Sequence, residues 1–289
     1  MTNTKHILIT GCSSGIGKAC AIHLASRGYE VFAGVRRPAD GEALRALSLN
    51  TLHPVLLELT DPAQVEQVVT GIETEVGQAG LYALINNAGF NYSAPFEVTD
   101  PAKARALMET NLFGAAFLTQ ACLPLLRKSV RPGQRRARII NVGSIGSLVG
   151  IPWEPWYHAS KFALKGLSES LYHEVRAQGI AVTILCPGGI RTPFIAKSEA
   201  ENAQVLANLT SEQARLYGKG LARIGGMVSS VEQAGSTPEH VAEVVASLLR
   251  TSRPPFRKFA GPDARIIATL QGLLPQGLFL WLIGSIFAP

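Results

Sequence analysis

Short apolar runs alternating with amphipathic helical stretches constrain this chain more than any other feature. Residues 5–10 read as a strand, 11–15 as a turn of small residues, and Ile16, Cys20 and Leu24 recur at helical spacing before Gly28 stops the helix. Further strands are predicted at 29–35, 52–59, 81–86, 137–142 and 180–185. Asp61 caps a helix with Pro62 at its first position and Gln64 three residues from the cap; Val65, Val68, Val69, Ile72 and Val76 form its apolar stripe. Asp100 and Pro101 open a long helix toward Lys128. Residues 156–177 form another, striped by Leu164, Leu167, Leu171 and Val175, and Thr237 and Pro238 open one through Leu249. Strands apolar on both faces, joined by such helices, make a parallel sheet covered on both sides. The expected fold class is α/β, one doubly wound parallel sheet with helices on both faces. With no linker or repeat in 289 residues, a single domain over 1–289 is expected.

Residues 188–236 break the rhythm. They carry Pro193, Phe194 and glycines at 218, 220, 225 and 226, and are too long for an ordinary connection. Placed after the sixth strand, they lie beyond the carboxyl ends of the strands, where open α/β sheets bind ligands, and are expected to form a substrate lid.

Charge narrows the partners. Lys and Arg number 27 against 21 acids, but six basic residues and no acid fall between Arg127 and Arg138, so this one segment, read as a solvated loop, accounts for the whole excess. A nucleic-acid binder would spread its basic charge over a face, so none is expected. Cys12, Cys20, Cys122 and Cys186 lack any metal-like or paired spacing and read as free thiols; no metal is expected. The chain enters an apolar strand by Ile7 without a charged-then-apolar leader, which points to a cytoplasmic protein.

Thr10, Gly11, Gly15 and Gly17 give TGxxxGxG at a strand-to-helix turn. Small residues there let the backbone approach a pyrophosphate, and the helix N-terminus favours its charge. The second strand should end on the group that reads the adenosine ribose. Here Val35 takes the place usually held by an acid, and Arg36 and Arg37 follow. An acid would accept from a free 2′-hydroxyl and repel a 2′-phosphate, whereas arginine bonds phosphate, so the expected cofactor is NADP(H). The bland alternative is that both arginines are merely solvated.

Tyr157 and Lys161, four apart on a helix, share one face, and Ser144 stands just past the fifth strand on the same edge as the glycine turn. A phenol titrating near 10 serves as acid and base at neutral pH only if a nearby cation favours its anion, which Lys161 would supply. A serine hydroxyl can hold a substrate oxygen while the phenol exchanges its proton. His158, one position from Tyr157, is expected to point elsewhere.

Together these residues resemble a classical short-chain dehydrogenase/reductase with a Rossmann-type sheet. The motifs are TGCSSGIG at 10–17, NNAG at 86–89, Asn111, Ser144, YHASK at 157–161 and PGGIRT at 187–192. The phrases ASKFALKGLSESL and GPDAR, followed by LLP, are most similar to the retinol and 17β-hydroxysteroid dehydrogenase branch. The resemblance implies hydride transfer between an alcohol and a ketone or aldehyde. Tyr157 would be the acid/base, Ser144 would orient the carbonyl, Lys161 would lower the tyrosine pKa and bind the nicotinamide ribose, and Asn111 would hold a relay water. It also implies cofactor contacts at Gly11, Ser13, Ser14, Gly15, Ile16, Gly17, Arg36 and Arg37. Others would come from Glu58 and Leu59 at the adenine, Asn87 at the adenosine ribose, Ala88 and Gly89, Tyr157 and Lys161, and Pro187, Gly188 and Thr192 at the carboxamide. An NADP(H)-binding sensor with little turnover, or a reductase of a smaller carbonyl compound, are the alternative functions.

The segments expected near the nicotinamide carry Phe90, Tyr92, Phe96, Val149, Ile151, Trp153, Trp156, Phe194 and Met227, a lining suited to a bulky apolar substrate. Trp153, Trp156 and Phe194 are the candidate substrate contacts. Residues 266–289 hold no charge, but Gln271, Gly272, Pro275, Gln276 and Gly277 interrupt them, leaving apolar runs too short to span a bilayer. Such a tail calls for cover from a partner subunit in a homodimer or homotetramer, from the substrate entrance, or from peripheral contact with a membrane surface.

Overall fold

The computed structural model describes residues 4–130, 137–192 and 203–287. Seven strands, β1 (His6–Ile9), β2 (Glu30–Val35), β3 (Leu52–Leu56), β4 (Leu81–Asn86), β5 (Ala137–Val142), β6 (Ile180–Pro187) and β7 (Arg257–Ala260), form one sheet in the order β3-β2-β1-β4-β5-β6-β7. Every pairing is parallel. Successive residues of β1 serve opposite faces. Ile7 and Ile9 pack with Cys20 and Leu24 of α1 (Gly15–Ala25), whereas Leu8 packs with Ile72 and Val76 of α3 (Pro62–Val76). The order in which strands are added reverses between β1 and β4, which opens a crevice at their carboxyl ends.

The helix starts follow the capping residues. Asp61 accepts from the amides of Ala63 and Gln64, at 3.0 and 3.2 Å, to open α3. Asp100 accepts from Ala102 at 2.8 Å to open α4 (Pro101–Met108). Gln64 does not close a capping box on Asp61; its side chain accepts from the Glu58 amide instead. The helix expected to run unbroken to Lys128 is interrupted by a π-helical turn, Glu109–Gly114, before α5 (Ala115–Ser129). Two elements had no clear sequence signal: α2 (Pro38–Arg45), with a glycine in its middle, and β7, four residues of which two are charged.

The basic segment is not a solvated loop at its downstream end. Arg138 lies in β5, 1% exposed, and donates to the carbonyls of Thr251 at 2.7 Å and Leu248 at 3.5 Å. Lys128 ends α5 in an ion pair with Glu73, while Arg131, Arg135 and Arg136 lie outside the described residues.

After α6 (Pro155–Val175) and β6, the chain leaves the sheet at Gly188 and returns at Ser236. Reciprocal bonds pin the two ends: Arg191 N–H to the Ser236 carbonyl at 3.0 Å, and Ser236 N–H to the Gly189 carbonyl at 2.9 Å. The described part of the excursion is mainly helical, ending in α7 (Lys219–Ala234) despite its glycines. α8 (Pro238–Arg250) then packs beside α1. Phe194 lies outside the described residues.

The apolar C-terminal segment folds as two helices, α9 (Pro262–Leu273) and α10 (Gln276–Phe287), broken at Pro275. Phe279 and Ile283, one turn apart on α10, are buried against Val149, and Gln271 donates to the Leu148 carbonyl at 2.6 Å. Trp281 is 67% exposed, with Leu278 and Leu280 also open to solvent. No helix among the described residues is long and apolar enough to cross a membrane.

Candidate active site

The glycine turn after β1 is shaped by close approach. Gly11 and Gly15 have φ of +71° and +56°, a region that favours glycine. A Cβ on Gly17 would lie 2.3 Å from the Gly11 carbonyl oxygen, so α1 can start this tightly only with glycine there. Ser14 caps α1 without using its side chain, and Ser13 beside it is exposed. The first amides of the helix thus have no side-chain cap, as an anion site requires. Thr192 stands against Gly15, its methyl carbon 3.2 Å from where a Cβ would be, so the PGGIRT loop reaches the glycine turn. Ile16 packs into the core below. These residues fit the pyrophosphate of a dinucleotide.

At the adenosine end, Arg36 and Arg37 are both exposed, but they are not equivalent. Arg37 makes a bidentate pair with Asp40, both bonds 2.8 Å, and no hydrogen bond engages Arg36 among the described residues. Glu58 turns its carboxylate back onto Thr60, accepting from the amide at 3.1 Å and the hydroxyl at 3.0 Å, beside buried Leu59. Asn87 is turned inward: its side-chain amide donates to the carbonyls of Thr10 and Gly11, at 2.9 and 3.2 Å. The Thr10 hydroxyl accepts from the amides of both Asn87 and Ala88 at 2.9 Å. Asn87 therefore holds the glycine turn in place.

The expected catalytic residues meet at the carboxyl ends of β4 and β5. Ser144 accepts from the Gly146 amide at 3.0 Å and stands beside the Tyr157 phenol, where its hydroxyl favours the anion. Lys161 lies with Nζ 5.7 Å from the centre of the Tyr157 ring and donates to the Val142 carbonyl at 3.0 Å. Burial dominates both titrations: it holds the Tyr157 phenol well above its ordinary range, against the opposing influence of Ser144, and pushes Lys161 down to about 8. In the protein alone, burial outweighs any lowering of the Tyr157 pKa by Lys161. A buried ammonium turned to a backbone carbonyl does not offset the cost of burying a phenolate.

Asn111 sits in the π-helical turn, a feature common at functional sites. Its amide is largely committed: Oδ1 accepts from the Phe90 amide and Nδ2 donates to the Phe90 carbonyl, both at 2.9 Å, and Nδ2 also reaches Ser160 at 3.2 Å. Its evident work is to clamp the segment after NNAG. Gly89 lies between it and the lysine, since a Cβ there would be 2.9 Å from Asn111 Oδ1 and 3.7 Å from Lys161 Nζ.

His158 is structural, as expected. Nε2 accepts from the Ile151 amide at 3.1 Å, so Nδ1 carries the proton toward the Gly146 carbonyl at 3.2 Å; the neutral ring fastens the loop after β5 to α6. Trp156 stacks on exposed Phe96, and Trp153 meets Tyr217 edge-on and stands close to Gly220 of α7. Sequence reasoning missed Asp263. Its carboxylate accepts from the Gly189 amide at 2.7 Å and fills the space beside Gly188, which follows Pro187. The signal was GPDAR itself, an acid just after a helix-starting proline.

A parallel sheet with a glycine turn at its switch point, and a Ser–Tyr–Lys group on the same rim, defines a Rossmann-type dinucleotide-binding protein. Comparison with known proteins gives the family. The short chain dehydrogenase model matches residues 5–203. A 3-ketodihydrosphingosine reductase from Bacteroides thetaiotaomicron is 30% identical over 283 residues, 98% of this chain and 97% of that protein. Human 11-beta-hydroxysteroid dehydrogenase type 2 is 33% identical over 283 residues, 95% of this chain and 68% of its own. Mouse retinol dehydrogenase 5 is 36% identical over 188 residues, 65% of this chain and 57% of its own. A Burkholderia cenocepacia short chain dehydrogenase in complex with NADP has the same fold, with a TM-score of 0.71 at 24% identity over 100% of both chains. The chain belongs to the short-chain dehydrogenase family, related to its retinol and hydroxysteroid branch. It is an oxidoreductase fold that binds NAD(P)(H).

Proposed function

We propose that this protein is an NADP(H)-dependent alcohol dehydrogenase or carbonyl reductase acting on a bulky apolar substrate. The observation that carries the reading is Ser144 beside the Tyr157 phenol, with Lys161 one turn further along the same face of α6. When bound, the reduced cofactor supplies a hydride for the carbonyl carbon. The protein's work is to hold the carbonyl and to move a proton. Ser144, already accepting from Gly146, has its own proton left to direct at the carbonyl oxygen. Tyr157, buried and therefore protonated at neutral pH, gives its proton to that oxygen as negative charge builds there. Lys161 then stabilises the phenolate, which matters most once the proton has left. In the oxidative direction the same groups act in reverse.

Arg36 supports the choice of NADP(H), because Arg37 is already paired with Asp40. Val149, Ile151, Trp153 and Trp156 between Ser144 and Tyr157 support an apolar substrate. The relatives' names, a keto-sphingosine, a hydroxysteroid and a retinol, point the same way. Exposed Phe113 and Phe117 on one helix and Phe162 and Leu167 on another offer apolar faces for a homodimer or homotetramer. The exposed side of α10 adds a further surface, for a subunit or a membrane.

Steady-state assay of steroid, retinoid and aryl ketones with NADPH and NADH tests the reading. Tyr157→Phe is expected to lower kcat by about 10²-fold or more with NADPH binding nearly intact. Wild-type turnover by that variant refutes it.

A further inference from the structure

A buried carboxylate lies one helical turn before Tyr157 and takes no part in the chemistry above. Glu154 caps α6 and is 7% exposed. One oxygen accepts from Asn91 Nδ2 at 2.6 Å and from the Ser93 hydroxyl at 3.1 Å; the other lies 3.7 Å from His158 Nε2. That histidine nitrogen is already an acceptor, bonded to the Ile151 amide, so it brings the carboxylate neither a charge nor a proton. Among the described residues no lysine or arginine pairs with Glu154. The second observation is independent: Asn91 Oδ1, at the other end of the amide that meets Glu154, is buried with no hydrogen-bond partner.

The setting is built to hold these acceptors. Trp153, immediately before Glu154, has φ of +72°, a strained conformation for a bulky residue, and its carbonyl is tied to the Ala94 amide at 2.7 Å. Asn91 and Ser93 follow Gly89, the residue lodged between Asn111 and Lys161. Glu154, the cap residue just before α6, stands three positions ahead of Tyr157, close enough for its charge to act on the phenol. A carboxyl group that burial pushes above its usual range, and an unmet acceptor beside it, thus stand close to the phenol that must meet the reacting carbonyl. Burying a carboxylate without a cation is costly unless something supplies the missing charge and donors. A primary ammonium supplies both, with one positive charge and three N–H donors.

We propose that Glu154 and the Asn91 side-chain oxygen form a subsite for a substrate ammonium group, making the preferred substrates amino ketones with an apolar body. The inference rests on the reductase reading of the same site and specifies its substrate class.

The test compares an apolar amino ketone with the hydroxy ketone of the same skeleton, using NADPH. The wild type is expected to favour the amino ketone about tenfold or more in kcat/KM, the range for a charged hydrogen bond. Glu154→Gln should lower kcat/KM at least about tenfold more for the amino ketone than for the hydroxy ketone. Equal wild-type rates, or equal losses on both substrates, overturn the subsite and leave the reductase reading standing. If neither ketone is reduced while NADPH binds, the reductase reading falls. Calorimetry of the wild-type NADP⁺ complex with the amino alcohol and the matching diol then decides the subsite separately. Tighter binding of the amino alcohol supports it, and equal binding overturns it.

Discussion

Replacing Gly188 by alanine should perturb the cofactor loop through one neighbour. A Cβ at Gly188 would stand 2.0 and 2.2 Å from the two carboxylate oxygens of Asp263, so the carboxylate must move. In moving it gives up the 2.7 Å bond to the Gly189 amide, a charge-assisted bond worth about 1.5–3 kcal/mol. Asp263→Ala loses the same bond directly and should cost a similar amount. With the carboxylate gone, however, the space beside Gly188 is open, and adding Gly188→Ala should cost less than about 0.5 kcal/mol more. The two substitutions are therefore expected to be coupled by about 1–3 kcal/mol in a double-mutant cycle measured by denaturant unfolding. The loop runs on to Thr192 against Gly15, so each single variant should raise KM for NADPH more than it lowers kcat. Additive destabilisation would refute the reasoning, because it would mean that the methyl group and the carboxylate do not compete for one space.

Arg36→Leu should reduce kcat/KM with NADPH about tenfold or more relative to NADH, whereas Arg37→Leu, which loses the pair with Asp40, should change the ratio less than about threefold; the reverse order refutes the assignment. Folding depresses the Lys161 pKa to about 8, so below that pH the native state carries a buried charge it disfavours, and from pH 8 toward the unfolded value near 10.5 the penalty fades. Lys161→Met is thus expected to be more stable than wild type at pH 7 without cofactor, an advantage that shrinks as pH rises through this window; a pH-independent difference in unfolding free energy contradicts it. Deleting residues 276–289 uncovers Val149 and should lower kcat/KM for bulky ketones more than affinity for NADPH, which an unchanged substrate profile would disprove.

Much of the sheet could be read from the sequence because most strand interiors are largely apolar on both faces and most major helices carry a starting signal. Asp61, Asp100 and Thr237 all cap helices as their positions suggest. β7 was hidden because its pairing with β6 comes from position at the sheet edge, not from its own residues. The π-helical turn at Asn111 depends on one extra residue per turn, which leaves no compositional trace. Within the site, spacing brought out Ser144, Tyr157 and Lys161, since they sit on adjacent elements of regular geometry. The partners of Glu154 and Asp263 lie 61 to 74 residues away, and only the folded chain brings them together. The arginine pair shows the same limit: sequence placed both at the ribose, but only the side-chain geometry shows that Asp40 occupies Arg37.

The cover that α9 and α10 place over the loop between Ser144 and Tyr157 sets an order of assembly during synthesis. Gln271 meets Leu148 across 123 residues, and Phe279 and Ile283 reach Val149 from further still. At ribosomal rates of about 5–20 residues per second, the loop waits roughly 6–25 s for these partners after it has been made. During that interval a nascent chain can hold its first five strands yet show Val149 and Ile151 bare, a surface that chaperones recognise and that other nascent chains can capture. Translation that pauses before α9 should therefore yield a chain with a nearly complete cofactor half and an unfinished substrate half, prone to aggregate through that loop.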